Sequence, residues 1–197
     1  IWIATAVAGL YLTWRWKRWL VLAVPVLLVC GYLAAPGSVR KRAESMLHPS
    51  KNVDSNQHRI VSWRTGWEMI KAHPWFGVGP EHVGIELDRY VPADVARPLP
   101  TGWYGHLHNI YLHYAAERGV PAMLALMWLL GKILVDFVRA LRRLPRGPGD
   151  ARFVIEGSIA VVLAILVGGL FELNLGDSEV LYLFLAVVAL GYGAVSQ

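Results

Sequence analysis

All seven histidines of this 197-residue chain lie between His48 and His113. The densest group is His106-Leu107-His108-Asn109, followed by His113 and Glu117. Imidazole titrates near neutral pH, so such a group suits proton transfer. Three chemistries compete for it. His106, His108 and His113 could bind a metal, because an H-x-H pair with a later histidine can supply zinc ligands. The spacing matches no specific metal signature, however, and no HExxH is present. The histidines could instead be polar residues at an interface, with His113 paired to Glu117 one helical turn on. In the third reading one histidine is a general base.

The elements that must position these residues are membrane helices. The chain is 55% hydrophobic and only 17% charged, with a mean hydropathy of +0.42. An ordinary soluble domain is about 45–50% apolar and about 25% charged. The single cysteine, Cys30, sits in an apolar run and has no partner for an intramolecular disulfide. The net charge of +5 could suggest nucleic acid, but the basic residues flank apolar runs, where membrane topology explains them. No nucleic-acid partner is expected.

The apolar stretch from Trp2 to Thr13 lacks the charged start and small-residue cleavage site of a signal peptide. It reads as the tail of a span whose beginning is missing, so the chain is expected to be a C-terminal fragment that packs with further N-terminal helices. Trp14 to Trp19 alternates aromatic and basic residues, as at a cytoplasmic membrane interface. A second span runs from Leu20 to Ala35, a third from Val120 to Val138, a fourth from Phe153 to Leu173 and a fifth from Val180 to Val195. The basic stretch between the third and fourth belongs on the same side as Arg15–Arg18. The expected architecture is therefore all-α and polytopic, with four to five transmembrane helices. Residues 1–35 form transmembrane helices, the first truncated. Residues 36–119 form one large periplasmic loop. Residues 120–197 form three transmembrane helices with a basic cytoplasmic loop at 139–152.

Within the large loop, Asp54-Ser55-Asn56 offers capping side chains for a helix. That helix would align Ile60, Trp63, Trp67 and Ile70 in an apolar stripe suited to a membrane interface or to the loop's own core. Arg59 and Arg64 would face elsewhere, and taken alone Arg59 reads as part of a solvated face. Gly77-Val78-Gly79-Pro80 reads as a tight turn rather than an anion nest. Glu172, Asn174 and Asp177 flank the turn after the fourth span and read as ordinary polar groups at a membrane end, able to line a substrate entrance.

Two blocks in this loop resemble the O-antigen ligase/polymerase family of bacterial membrane proteins. The first is Arg59-x-x-x-Trp63 followed by Pro74-Trp75-Phe76-Gly77-Val78-Gly79. The second is His108-Asn109, nine residues, then Gly119-x-x, with Ala122 where the ligase signature ends in glycine. The resemblance implies a GT-C-like membrane glycosyltransferase of the bacterial inner membrane, active on the periplasmic face. It implies transfer of a glycan from undecaprenyl pyrophosphate to a sugar hydroxyl of the lipid A–core oligosaccharide, with no cofactor and no metal. His108 would be the catalytic base. Arg59 would bind the pyrophosphate, because the guanidinium fork matches phosphate oxygens, and Arg64 is a second candidate for that role. Asn109, Gly119 and Trp63 would support the motif, Asn109 by orienting His108 or capping the next helix. An O-antigen polymerase or a protein O-oligosaccharyltransferase shares the donor and differs in acceptor. A transporter or a non-catalytic scaffold is the alternative of a different class. A transporter would more often carry charges in mid-membrane, and the second and fifth spans have none in their interiors.

Overall fold

The computed structural model describes residues 2–40, 55–97, 99, 105–145, 147 and 149–195. Among them are eight α-helices and no strand. In chain order they are α1 (Trp2–Lys17), α2 (Ala23–Ala34), α3 (Ser55–Ala72), α4 (Val83–Tyr90), α5 (Ile110–Arg118), α6 (Val120–Arg143), α7 (Asp150–Gly168) and α8 (Ser178–Val195). Four segments are long and apolar enough to cross a membrane: Ile3–Ala34, Val120–Arg143, Asp150–Gly168 and Ser178–Val195. The first is not one straight rod. Lys17 is extended (φ −143°, ψ 92°), and a 3-10 turn, Arg18–Leu22, separates α1 from α2. The break falls in the basic, tryptophan-rich stretch.

The later spans differ from their expected limits. α6 continues past Val138 to Arg143, because Arg142 and Arg143 suit the negative end of a helix dipole. α7 starts at Asp150, an acid at the positive end, and stops at Gly168 instead of Leu173. Paired glycines, Gly168 and Gly169, are poor helix formers. Beyond them the amides of Phe171 and Glu172 both return to the Gly168 carbonyl, at 2.9 and 3.0 Å. Asn174 Nδ2 donates to the Ile165 carbonyl at 2.9 Å. This ending takes Glu172 out of the helix and turns it towards the large loop.

α1 runs antiparallel to α7. Ala4 packs at the Gly168 end, and Arg15 bonds Glu156 near the other end. α6, α7 and α8 share a core of Leu130, Phe137, Ile155, Ile159, Phe184 and Val188. Gly191 allows this closeness, since a Cβ there would lie 2.5 Å from the Phe137 ring and 2.7 Å from Ser158 Oγ. Apolar side chains on the outer faces, such as Trp128, Leu183 and Leu190, are exposed, as lipid-facing residues are.

A second core, built from Met69, Ile70, Val83, Leu87, Leu107 and Ala116, joins α3, α4 and α5. Here α3 departs from the expected stripe. Its buried face is Val61, Ser62, Thr65, Met69 and Ile70, whereas Ile60 and Trp67 are exposed at 40% and 55%. Thr65 Oγ1 bonds the Val61 carbonyl at 2.9 Å, so its burial leaves no unmet donor. Gly66 leaves room for Leu107. A face that mixes Ser62 and Thr65 with apolar residues therefore packs inward, and two large apolar residues face out. The expected cap at Asp54-Ser55-Asn56 involves side chains outside the described residues, as does His48.

Residues 73–80 dock on the α5–α6 junction. Val78 N donates to Ala116 O at 2.8 Å, Gly79 N to Glu117 O at 2.9 Å, and Val120 N to Pro74 O at 2.8 Å. The amides that could have made an anion nest are used this way, so the glycine pair forms a tight turn, as expected.

Candidate functional site

The site is organised by Leu107, which is fully buried against α3. Its neighbours point the other way, and the His106 and His108 rings lie 4.3 Å apart. His108 adopts a left-handed backbone (φ +49°). Such geometry is uncommon outside glycine and clusters at functional sites. It aims the ring away from the core just before α5 begins.

Asn109 caps α5. Its Oδ1 accepts from the amides of Tyr111 and Leu112, each at 3.0 Å. Its Nδ2 donates to the Leu170 carbonyl at 3.0 Å. Ile110 N donates to Gly169 O at 2.8 Å, and Tyr111 Oη to Leu166 O at 2.6 Å. Together these bonds fasten the start of α5 to the end of α7.

That fastening brings Glu172 to His108. His108 Nδ1 lies 3.2 Å from Glu172 Oε2, and Arg59 Nη2 lies 2.5 Å from Glu172 Oε1. The His108, Arg59 and Glu172 side chains are 22%, 29% and 34% exposed. They are thus partly desolvated yet reachable. Partial burial pushes the Glu172 carboxyl up, but the His108 bond and the Arg59 charge outweigh it and hold the group below the usual carboxylate range. Burial, with the neighbouring His108, pushes the His106 imidazole below its ordinary value. Arg59 Nε is buried with no hydrogen-bond partner among the described residues. A cleft of about 470 Å³ opens beside the cluster, lined by His106, Glu172, Asn174, Asp177 and Val180.

The other expected residues are placed as follows. Trp63 is half-buried, with its ring tilted against Phe171 at 6.5 Å. Gly119 (φ +88°) ends α5, and a Cβ there would collide with the Trp75 carbonyl. Arg64 is outside the cluster and holds Asp94 through two bonds, at 2.7 and 3.0 Å. His113 also stands apart, with its Nε2 3.5 Å from Glu117 Oε2, the pairing the interface reading anticipated. Burial lowers its pKa, and Glu117 opposes that shift.

The ligand atoms of His106, His108 and Glu172 lie within 4.8 Å of one another, close enough to consider a cation. His113, from the sequence grouping, is not among them. Arg59 already supplies positive charge to the same carboxylate, and a divalent ion would have to share it.

From sequence, Glu172 was an ordinary polar group at a membrane end, able to line a substrate entrance; its pairing with His108 and Arg59 was not expected. Its only signal was a carboxylate at a span end, on the face expected to carry the loop.

Fold and site together define a multi-pass helical membrane protein with a partly buried Arg–Glu–His cluster at one end of its bundle. The O-antigen ligase family model matches residues 1–127, and the chain belongs to that family of glycosyltransferase-like membrane enzymes. No curated protein matches the chain. Arg59, Trp63, His108, Asn109 and Gly119 fall inside the matched stretch, and Glu172 falls beyond it.

Proposed function

We propose that the chain carries the catalytic loop of an inverting, metal-independent O-antigen ligase. It would act on the periplasmic face of the bacterial inner membrane, moving a glycan from undecaprenyl pyrophosphate to lipid A–core. The observation that carries this reading is the Arg59–Glu172–His108 chain. With Nδ1–H directed at Glu172, His108 keeps its Nε2 lone pair for a proton acceptor's role. The acceptor sugar hydroxyl gives its proton to Nε2 as its oxygen bonds to the anomeric carbon. The bond from that carbon to the pyrophosphate oxygen breaks, and its electron pair leaves with the pyrophosphate. Arg59 stabilises the charge that develops there, and its unpartnered Nε is a donor for a phosphate oxygen. Attack opposite the leaving group inverts the anomeric centre.

The test uses the intact protein with undecaprenyl-pyrophosphate glycan and rough lipopolysaccharide, with EDTA present throughout. Ladder lipopolysaccharide from wild type but not from His108→Ala is the expected result. Lengthening of the lipid-linked glycan without modification of lipid A–core would make the protein a polymerase. Full activity in His108→Ala would remove the base.

A further inference from the structure

The end of the bundle opposite the histidine cluster carries a separate cavity. Arg15 from the end of α1, Arg142 from the end of α6 and Arg152 from the start of α7 converge there. With Tyr11, Val138 and Leu141 they line a space of about 360 Å³. Arg15 and Arg152 also wall a wider groove of about 830 Å³, whose other walls include Leu12, Trp16 and Phe153. The two spaces thus share walls, one polar and basic, the other apolar. Trp16 and Phe153 are 77% and 80% exposed, so the wider groove is walled by large apolar surface.

The charges here are unbalanced. Among the described residues, Glu156 is the one carboxylate lining either space. It accepts from Arg15 Nε and Nη2 at 3.1 and 2.9 Å and lies 3.2 Å from Arg152 Nε. Arg152 Nη1 also donates to the Pro145 carbonyl at 3.0 Å. Arg142 is exposed and has no hydrogen bond or ion pair among the described residues. The Tyr11 hydroxyl is buried with no partner among them. A buried polar group without a partner is costly, most of all within a membrane.

We propose that this two-lobed cavity binds an anionic phospholipid of the adjacent leaflet. Its phosphodiester sits among Arg142, Arg152 and the Tyr11 hydroxyl, and its acyl chains lie along Leu12, Trp16 and Phe153. Guanidinium forks match phosphate oxygens, and basic pockets between transmembrane helices suit such headgroups. The surplus positive charge selects against a zwitterionic lipid. The apolar lobe selects a lipid over a free phosphate ion. Basic residues at this end also serve to orient the chain in the membrane, but that role calls for neither a cavity nor an unpartnered hydroxyl.

Native mass spectrometry of the intact protein in detergent tests this, with cardiolipin, phosphatidylcholine and inorganic phosphate as probes. Cardiolipin is expected to be retained with one-to-one stoichiometry, while phosphatidylcholine is lost. Arg142→Gln should weaken retention about tenfold, the size of one charged hydrogen bond. Tyr11→Phe, which keeps the ring and hence the packing, should weaken it about threefold. Arg89→Gln, at an exposed arginine outside this cavity, should leave it unchanged. Equal retention in Arg142→Gln and wild type would overturn the site. So would equal retention of phosphatidylcholine, or an equal loss in Arg89→Gln. Binding of inorganic phosphate as tight as that of cardiolipin would overturn the lipid assignment.

Discussion

His108 Nδ1 sits 3.2 Å from Glu172 Oε2, although the two residues are 64 positions apart in the chain. Under the proposed reading the carboxylate fixes the ring's tautomer and direction, the arrangement by which an acid orients a histidine base. Glu172→Gln should therefore lower kcat by about 10²–10³ while changing KM little. Steady-state kinetics on membranes with matched protein levels would check it. A change confined to KM would assign Glu172 to substrate binding instead.

The two arginines of α3 should separate cleanly. Arg59→Ala removes the cation that faces the site and should cost about 10²-fold or more in turnover. Arg64 is turned towards Asp94 on the exposed surface, and Arg64→Ala should stay within about twofold of wild type. Comparable losses in both variants would mean that Arg64 reaches the substrate after all.

Gly119 carries a backbone conformation that a Cβ disfavours, and its Cα faces the Trp75 carbonyl. Gly119→Ala should destabilise the protein by about 2–4 kcal/mol. Ala122→Gly, at the signature's variant position, is a useful comparison. Thermal unfolding followed by circular dichroism in detergent gives both values. An unchanged midpoint in Gly119→Ala would show that the turn yields at little cost.

Acid should destabilise the loop before it discharges Glu172. His106 has a folded pKa below its ordinary 6.5. The unfolded chain then binds more protons as pH falls through that value, and stability drops until the folded pKa is passed. His113 acts in the same direction. Glu172 is depressed, so its contribution is lost only at a pH below the ordinary carboxylate range. The unfolding midpoint should fall as the pH drops through about 6.5, and His106→Gln should reduce that fall. An identical fall in the variant would shift the effect to the other histidines.

Much of the fold was legible because lipid imposes long apolar runs and charge imposes a sidedness. The His108-Asn109 pair and Gly119 were legible through their resemblance to the ligase signature, and the cap and the left-handed turn supply the physical reason for Asn109 and Gly119. The inward face of α3 was not. Hydrophobic periodicity marks Ile60 and Trp67 as apolar but does not say whether protein or membrane covers them. Glu172 was hidden for another reason. The paired glycines mark where α7 stops, but the bonds from Asn109 and Ile110 that set Glu172 beside His108 join residues about 60 positions apart, and no local pattern encodes them.

α7 is held at both ends by an arginine-bound glutamate, Arg15 on Glu156 within its first turns and Arg59 on Glu172 just past its last. Its 19 residues measure roughly 28 Å at about 1.5 Å per residue, close to the thickness of the hydrocarbon layer. The helix thereby acts as a spacer of set length. Sliding it against α1 and α3 would break one of the two clasps, so the His108 cluster at one end and the basic cavity at the other are held a fixed distance apart.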